Sequence, residues 1–175
     1  GDIDAAVQRY LRAPGRKWAH YAKFEQEWLA VRYGVWVLHA VRWGDTAAQA
    51  HVLDERAGKS LGDCTRLKFG FDVKALSPTV NRKRMLAVPL AETLPYNGLD
   101  TKWTDALRRV QTEELNACGL APVYEARVNA TTASLVWMQM RGLERNEPVI
   151  RQFAQDLGAE RERVLARIQA DSDVV

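Results

Sequence analysis

Between Lys17 and Tyr33 the large side chains Trp18, Tyr21, Phe24, Trp28 and Val31 recur every three or four residues, and Gly34 follows. That period is the repeat of one helix face, so the segment predicts a helix that stops at Gly34 and turns its aromatics to the core. From Val35 to Arg42 the composition switches to β-branched and aromatic residues, which predicts a buried strand. A chain that changes period this sharply has to pack helix against sheet.

The same alternation of periods runs through the rest of the sequence. Ile3, Val7, Tyr10 and Leu11 lie at helical spacing ahead of Pro14-Gly15, giving a short leading helix. Asp45 is placed to cap a helix from Thr46 to about Arg56, closed by Gly58. Leu67, Phe69, Phe71 and Val73 alternate with Lys68, Gly70, Asp72 and Lys74, the pattern of a strand with one buried face. Met85 to Val88 reads as a second short strand stopped by Pro89. Pro95-Tyr96-Asn97-Gly98 reads as a turn, and Trp103, Leu107, Val110 and Leu115 mark a helix ending at Gly119. Val123 to Val128 alternates as a strand, with Ser134 to Met140 as its hairpin partner or else a helix. Asn146 and Pro148 open a helix to Leu157, and a charged helix from Ala159 to Gln169 follows. The sum is one α+β domain over residues 1–175, with helical segments at both ends and helices packed on a mixed or antiparallel sheet.

At 175 residues and 47% hydrophobic the chain can bury one continuous core. A formal charge of +3 and a pI near 9.0 permit an anionic partner without requiring one. Arginine outnumbers lysine, and a guanidinium binds phosphate or carboxylate through two parallel hydrogen bonds. Cys64 and Cys118 stand far apart, so neither a disulfide framework nor a zinc site is expected. Arg32 and Arg42 interrupt the longest apolar stretch, leaving nothing near the roughly 20 residues that span a bilayer. The opening Gly-Asp-Ile-Asp carries no charged and apolar leader, so a cytoplasmic location is expected.

Chemistry-bearing residues concentrate between Gly58 and Arg84. Gly58-Lys59-Ser60 ends like a phosphate-binding loop, but Leu53 stands where the leading glycine belongs. Asp63 and Asp72 are spaced to hold Mg²⁺ beside a strand, with Lys74 on the same polar face to orient the attacking water; this looks like a nuclease pattern of two carboxylates and a lysine. Arg82, Lys83 and Arg84 form the densest positive run and read as a phosphate-binding loop.

Gly62-Asp63-Cys64-Thr65-Arg66 resembles the Gly-Gly-Cys-His-Arg signature of sulfiredoxin, sharing its glycine, cysteine and arginine. That signature belongs to the superfamily joining sulfiredoxins to ParB-type partition proteins. The resemblance implies a ParB/sulfiredoxin-like fold, with Arg66 as a ligand of nucleotide phosphate and with plasmid partition proteins, nucleases and fertility inhibitors as relatives. In sulfiredoxin itself the cysteine attacks. The expected function is therefore binding of DNA or a nucleotide such as ATP, with Mg²⁺-dependent DNase or ATP-hydrolysing activity as its enzymatic form. The alternative is a non-catalytic inhibitor or adaptor that acts by binding another protein.

Overall fold

The structure, a computed structural model, describes residues 2–76 and 87–172. The chain divides into two compact units, residues 1–140 and 141–175. Helices dominate both. In the first, α1 (Ile3–Arg12) leads to the strand β1 (Lys17–Ala19), then α2 (Ala22–Tyr33), the short α3 (Trp36–His39) and β2 (Trp43–Asp45). After these come α4 (Thr46–Leu53), α5 (Leu61–Phe69), a 3-10 turn (Val73–Leu76) and the long α6 (Leu90–Ala117). A last run combines α7 (Ala121–Val123), a π-helical stretch (Tyr124–Asn129) and α8 (Ala130–Arg141).

The described sheet is two strands wide and parallel, with Trp18 opposite Gly44 and Ala19 opposite Asp45. The glycine is sterically required, because a Cβ on Gly44 would fall 2.6 Å from the ring of Trp18. Coarsely, helices and a sheet do share one unit, but the broad mixed or antiparallel sheet expected from the sequence is replaced by helix almost everywhere. Residues 67–73 and 123–128, both read as strands, are helical or turn, 35–42 holds α3, and 134–140, read as a hairpin partner or else a helix, lies in α8. Pro95-Tyr96-Asn97-Gly98 continues inside α6 instead of turning. Of the expected strand at Met85 to Val88, Met85 and Leu86 lie outside the described residues, and Ala87 and Val88 are not in a strand.

Asp45 organises the first unit. Its carboxylate accepts the N–H groups of Ala47 (2.8 Å) and Ala48 (3.3 Å), capping α4 as its sequence position implies. It also accepts those of Tyr21 (3.0 Å) and Ala22 (2.9 Å), so one buried side chain satisfies the open donors of two helices. Burial pushes the Asp45 carboxyl up from its ordinary pKa, with these four hydrogen bonds pulling the other way. The backbone N–H of Asp45 donates to the buried hydroxyl of Tyr124 at 2.9 Å, tying the π-helical stretch to the sheet.

Three apolar clusters form the core. Leu61, Cys64, Val73 and Leu107 join α5 to α6, with Phe69, Phe71 and Trp103 packed on them. Leu11, Val37 and Val41 gather α1 and α3, with Leu29 and Trp43 beside them. Ala30, Leu38 and Val136 bring α2, α3 and α8 together.

The faces of α2 are the reverse of the sequence expectation. The helix buries Ala22, Gln26 and Ala30, and it leaves Phe24, Trp28 and Val31 exposed at 59%, 60% and 65%. On the buried face Ala30 packs against Leu38 of α3 and Val136 of α8. The aromatics at the same helical period are left on the far side.

The second unit carries α9 (Glu147–Ser172), one helix where two are expected. Asn146 opens it by accepting the N–H of Val149 at 3.3 Å. From Pro148 to Asp171 every side chain is exposed.

Candidate functional site

Three of the residues singled out by sequence meet at the start of α5. Ser60 caps this helix, accepting the N–H of Asp63 at 3.1 Å and donating its hydroxyl proton to the Asp63 carboxylate at 2.6 Å. Arg66 lies one turn further on, where its guanidinium donates to Asp63 at 2.9 Å and to Asp72 at 2.6 Å. The other oxygen of Asp72 accepts the N–H of Lys74 at 2.8 Å. The hydrogen bond from Ser60 and then the pairing with Arg66 hold the Asp63 carboxyl below its ordinary range.

Two glycines make room for these carboxylates. A Cβ on Gly58 would sit 2.6 Å from Asp63, and one on Gly62 would sit 2.4 Å from Asp72. The cluster nevertheless differs from the strand-borne site expected. Leu67 to Phe69 completes α5, Gly70 ends it in the left-handed region at φ 80°, and Asp72 enters a 3-10 turn. Lys74 therefore does not share a strand face with Asp72; its side chain lines a separate groove.

The charges decide what this cluster can hold. Two carboxylates around one guanidinium leave a local charge of −1, so a phosphate at Arg66 would have to compete with both acids. A divalent ion between Asp63 and Asp72 would have to displace the Arg66 guanidinium. Among the described residues, no group of three or more His, Cys, Asp and Glu side chains is placed to hold a metal. Cys64 is buried in the core, and burial pushes its thiol above its ordinary pKa. Arg82, Lys83 and Arg84 lie outside the described residues.

Lys74 belongs instead to a groove of about 760 Å³ between β1, the start of α5 and the first half of α6. Trp18 lines it, with the guanidinium carbons of Arg16 and Arg108 at 5.4 and 5.7 Å from its ring. Both arginines are already paired, Arg16 with Glu125 at 2.5 Å and Arg108 with Asp105 at 2.8 Å. Lys17 is buried, donates to the Ala13 carbonyl at 2.8 Å and sits 4.8 Å from the Tyr10 ring. His20 closes one wall, bound to Thr46 at 2.9 Å and to the Lys59 carbonyl at 2.8 Å. The carbonyl can only accept, so Nε2 carries the proton and Nδ1 accepts from the Thr46 hydroxyl. Burial lowers the His20 pKa to about 4, against the pull of the Lys59 carbonyl and with help from the nearby Lys74 charge.

Sequence reasoning placed the α2 aromatics in the core, and the structure makes them a surface. Phe24, Trp28 and Val31 lie exposed on one side of α2 with Tyr21 (50% exposed) just ahead of the helix, and Phe24 meets Trp28 edge to face with ring centroids 6.1 Å apart. Tyr21 holds a left-handed backbone at φ 66° that a non-glycine residue adopts only when its surroundings impose it. In this conformation the Tyr21 N–H donates to the Asp45 carboxylate. The signal available in sequence was the pair of small residues Ala22 and Ala30, at the same period on the other side of the helix with Gln26 between them.

Comparison of the chain with protein-family models, with curated proteins and with solved structures finds no match.

Proposed function

We propose that this chain is a non-catalytic binding protein, an adaptor or inhibitor, that grips another protein through Tyr21, Phe24, Trp28 and Val31. The observation that carries this reading is the exposure of an aromatic stripe on a helix that buries a glutamine beneath it. Single exposed apolar residues are ordinary, but a contiguous row rich in Trp, Tyr and Phe has the composition of an interaction hot spot. The stripe fits a partner with an apolar groove, into which residues at this helical spacing insert as anchors. The test is photo-crosslinking in the source cell from a benzophenone side chain placed at Phe24, at Trp28 and, for comparison, at the exposed Glu55. One shared adduct from the first two positions and none from Glu55 supports the reading. Equal labelling at all three, or none at any, removes it.

A second reading, recognition of DNA or nucleotide phosphate, has its own support in the groove that joins Trp18 to Arg16, Lys17 and Lys74, with Arg108 beside the Trp18 ring. Stacking on an aromatic next to cations is how single strands and nucleotides are held. The ParB/sulfiredoxin-like resemblance of residues 62–66, with its plasmid partition and fertility-inhibition relatives, belongs to this reading. So do Arg82, Lys83 and Arg84, and so does Mg²⁺-dependent cleavage at Asp63 and Asp72. Binding of a single-stranded oligonucleotide or ATP, followed by tryptophan fluorescence across a salt series, separates the two readings. Affinity that falls steeply with salt and is lost in Trp18→Ala favours phosphate recognition.

A further inference from the structure

We infer that α9 is a dimerisation element that pairs antiparallel with α9 of a second copy of this chain. The helix places Ile150, Phe153, Leu157, Val164, Leu165 and Ile168 along one side, all at least 38% exposed. A 26-residue helix with an exposed apolar side is poorly stable alone, since helices in proteins owe most of their stability to burying such a face.

What identifies the occupant is the symmetry of the sequence. Around Ala159 the apolar positions mirror one another: Ile150 reflects onto Ile168, Phe153 onto Leu165 and Ala154 onto Val164. An antiparallel pair with its two-fold axis at that level sets each of these against its mirror mate on the other copy, an isologous contact in which one patch serves both partners. Charge selects this direction over the parallel one. Arg161 sits within the apolar side, and parallel in-register pairing would press it against its own copy. The antiparallel arrangement lays its aliphatic stem over Leu157 of the second chain, with Asp156 of that chain within reach of the guanidinium.

The test uses the full chain carrying Cys118→Ser, because Cys118 is the exposed native thiol. Sedimentation velocity at tens of micromolar should show a dimer, and Leu157→Glu with Val164→Glu should convert it to monomer with an unchanged near-UV spectrum. Phe153→Ser serves as a milder second variant and should weaken association at least tenfold. For direction, Ile150→Cys and Ile168→Cys chains should form a disulfide when mixed. Neither should do so alone, since like positions of an antiparallel pair lie about 27 Å apart at 1.5 Å per residue. A monomeric parent, a dimer indifferent to both surface variants, or crosslinking of Ile150→Cys to itself would each overturn the inference.

Discussion

Gly62 and Asp72 approach so closely that a single added methyl group could not fit between them: a Cβ on Gly62 would stand 2.4 Å from the Asp72 carboxylate. That carboxylate is fixed from two other sides by Arg66 and by the N–H of Lys74, so it cannot simply swing away. Gly62→Ala should therefore cost about 1–2 kcal/mol in urea denaturation, an overpacking penalty. In an Asp72→Ala background the sign should reverse, because alanine is favoured over glycine inside a helix by roughly 1 kcal/mol. Additive effects of the two substitutions would mean that the contact carries no strain.

Asp45 holds the starts of both α2 and α4, so Asp45→Ala strands four N–H donors, those of Tyr21, Ala22, Ala47 and Ala48. A single lost cap costs about 1 kcal/mol, and donors left buried without a partner cost more. The expected loss is about 3 kcal/mol or greater, read from chemical denaturation. Asp45→Asn, which keeps an acceptor, should recover part of it.

Acid should unfold the first unit by charging His20. The folded pKa of about 4 lies below the ordinary value of 6.5, so the neutral ring contributes stability that is complete above the higher value. This contribution, a few kcal/mol at most, is lost progressively as pH falls from 6.5 towards 4. Asp45 opposes the trend, since its raised carboxyl pKa makes protonation easier in the fold than out of it. Thermal unfolding measured across this range should slope downward in the parent and flatten in His20→Gln.

The reversed faces of α2 give the sharpest contrast between surface and core. Phe24→Ser and Trp28→Ser should each change stability by no more than about 0.5 kcal/mol, as exposed substitutions do. Leu107→Ala, at a fully buried site in the cluster of α5 and α6, should cost about 2–5 kcal/mol. Comparable losses at all three positions would mean that the stripe is buried after all.

Capping and helix termination were readable from single residues. Asp45 stands where it is expected as the cap of α4, Gly34 follows α2, and Trp103 to Leu115 lies within α6 as its spacing implies. Those signals are local, because the cap bonds the next turn whatever the rest of the chain does. The misread strands failed for a different reason. At Leu67 to Val73 a period of two is produced by the end of a helix, a left-handed glycine and a 3-10 turn in succession. The sequence reading passed over Ser60, a helix cap whose side chain accepts the Asp63 N–H and opens α5. For α2 the period was right and the phase wrong: periodicity says that a helix has two faces, and packing chooses which is inside. The gathering of Asp63, Arg66 and Asp72 was legible as proximity in sequence. Their pairing through one guanidinium depends on side-chain directions that sequence does not carry.

The hydrogen bond between Asp45 and Tyr124 spans 79 positions of the chain. The parallel pair it supports has only three residues per strand and is itself joined through α2 and α3. Joining so small a sheet costs loop-closure entropy that forming a local helix does not. Residues 17, 43 and 124 come from three separate stretches of chain, so the centre of the first unit rests on long-range contacts that no single segment makes alone. A chain cut ahead of Tyr124 would keep its helix-forming sequences and lose the junction that orders them.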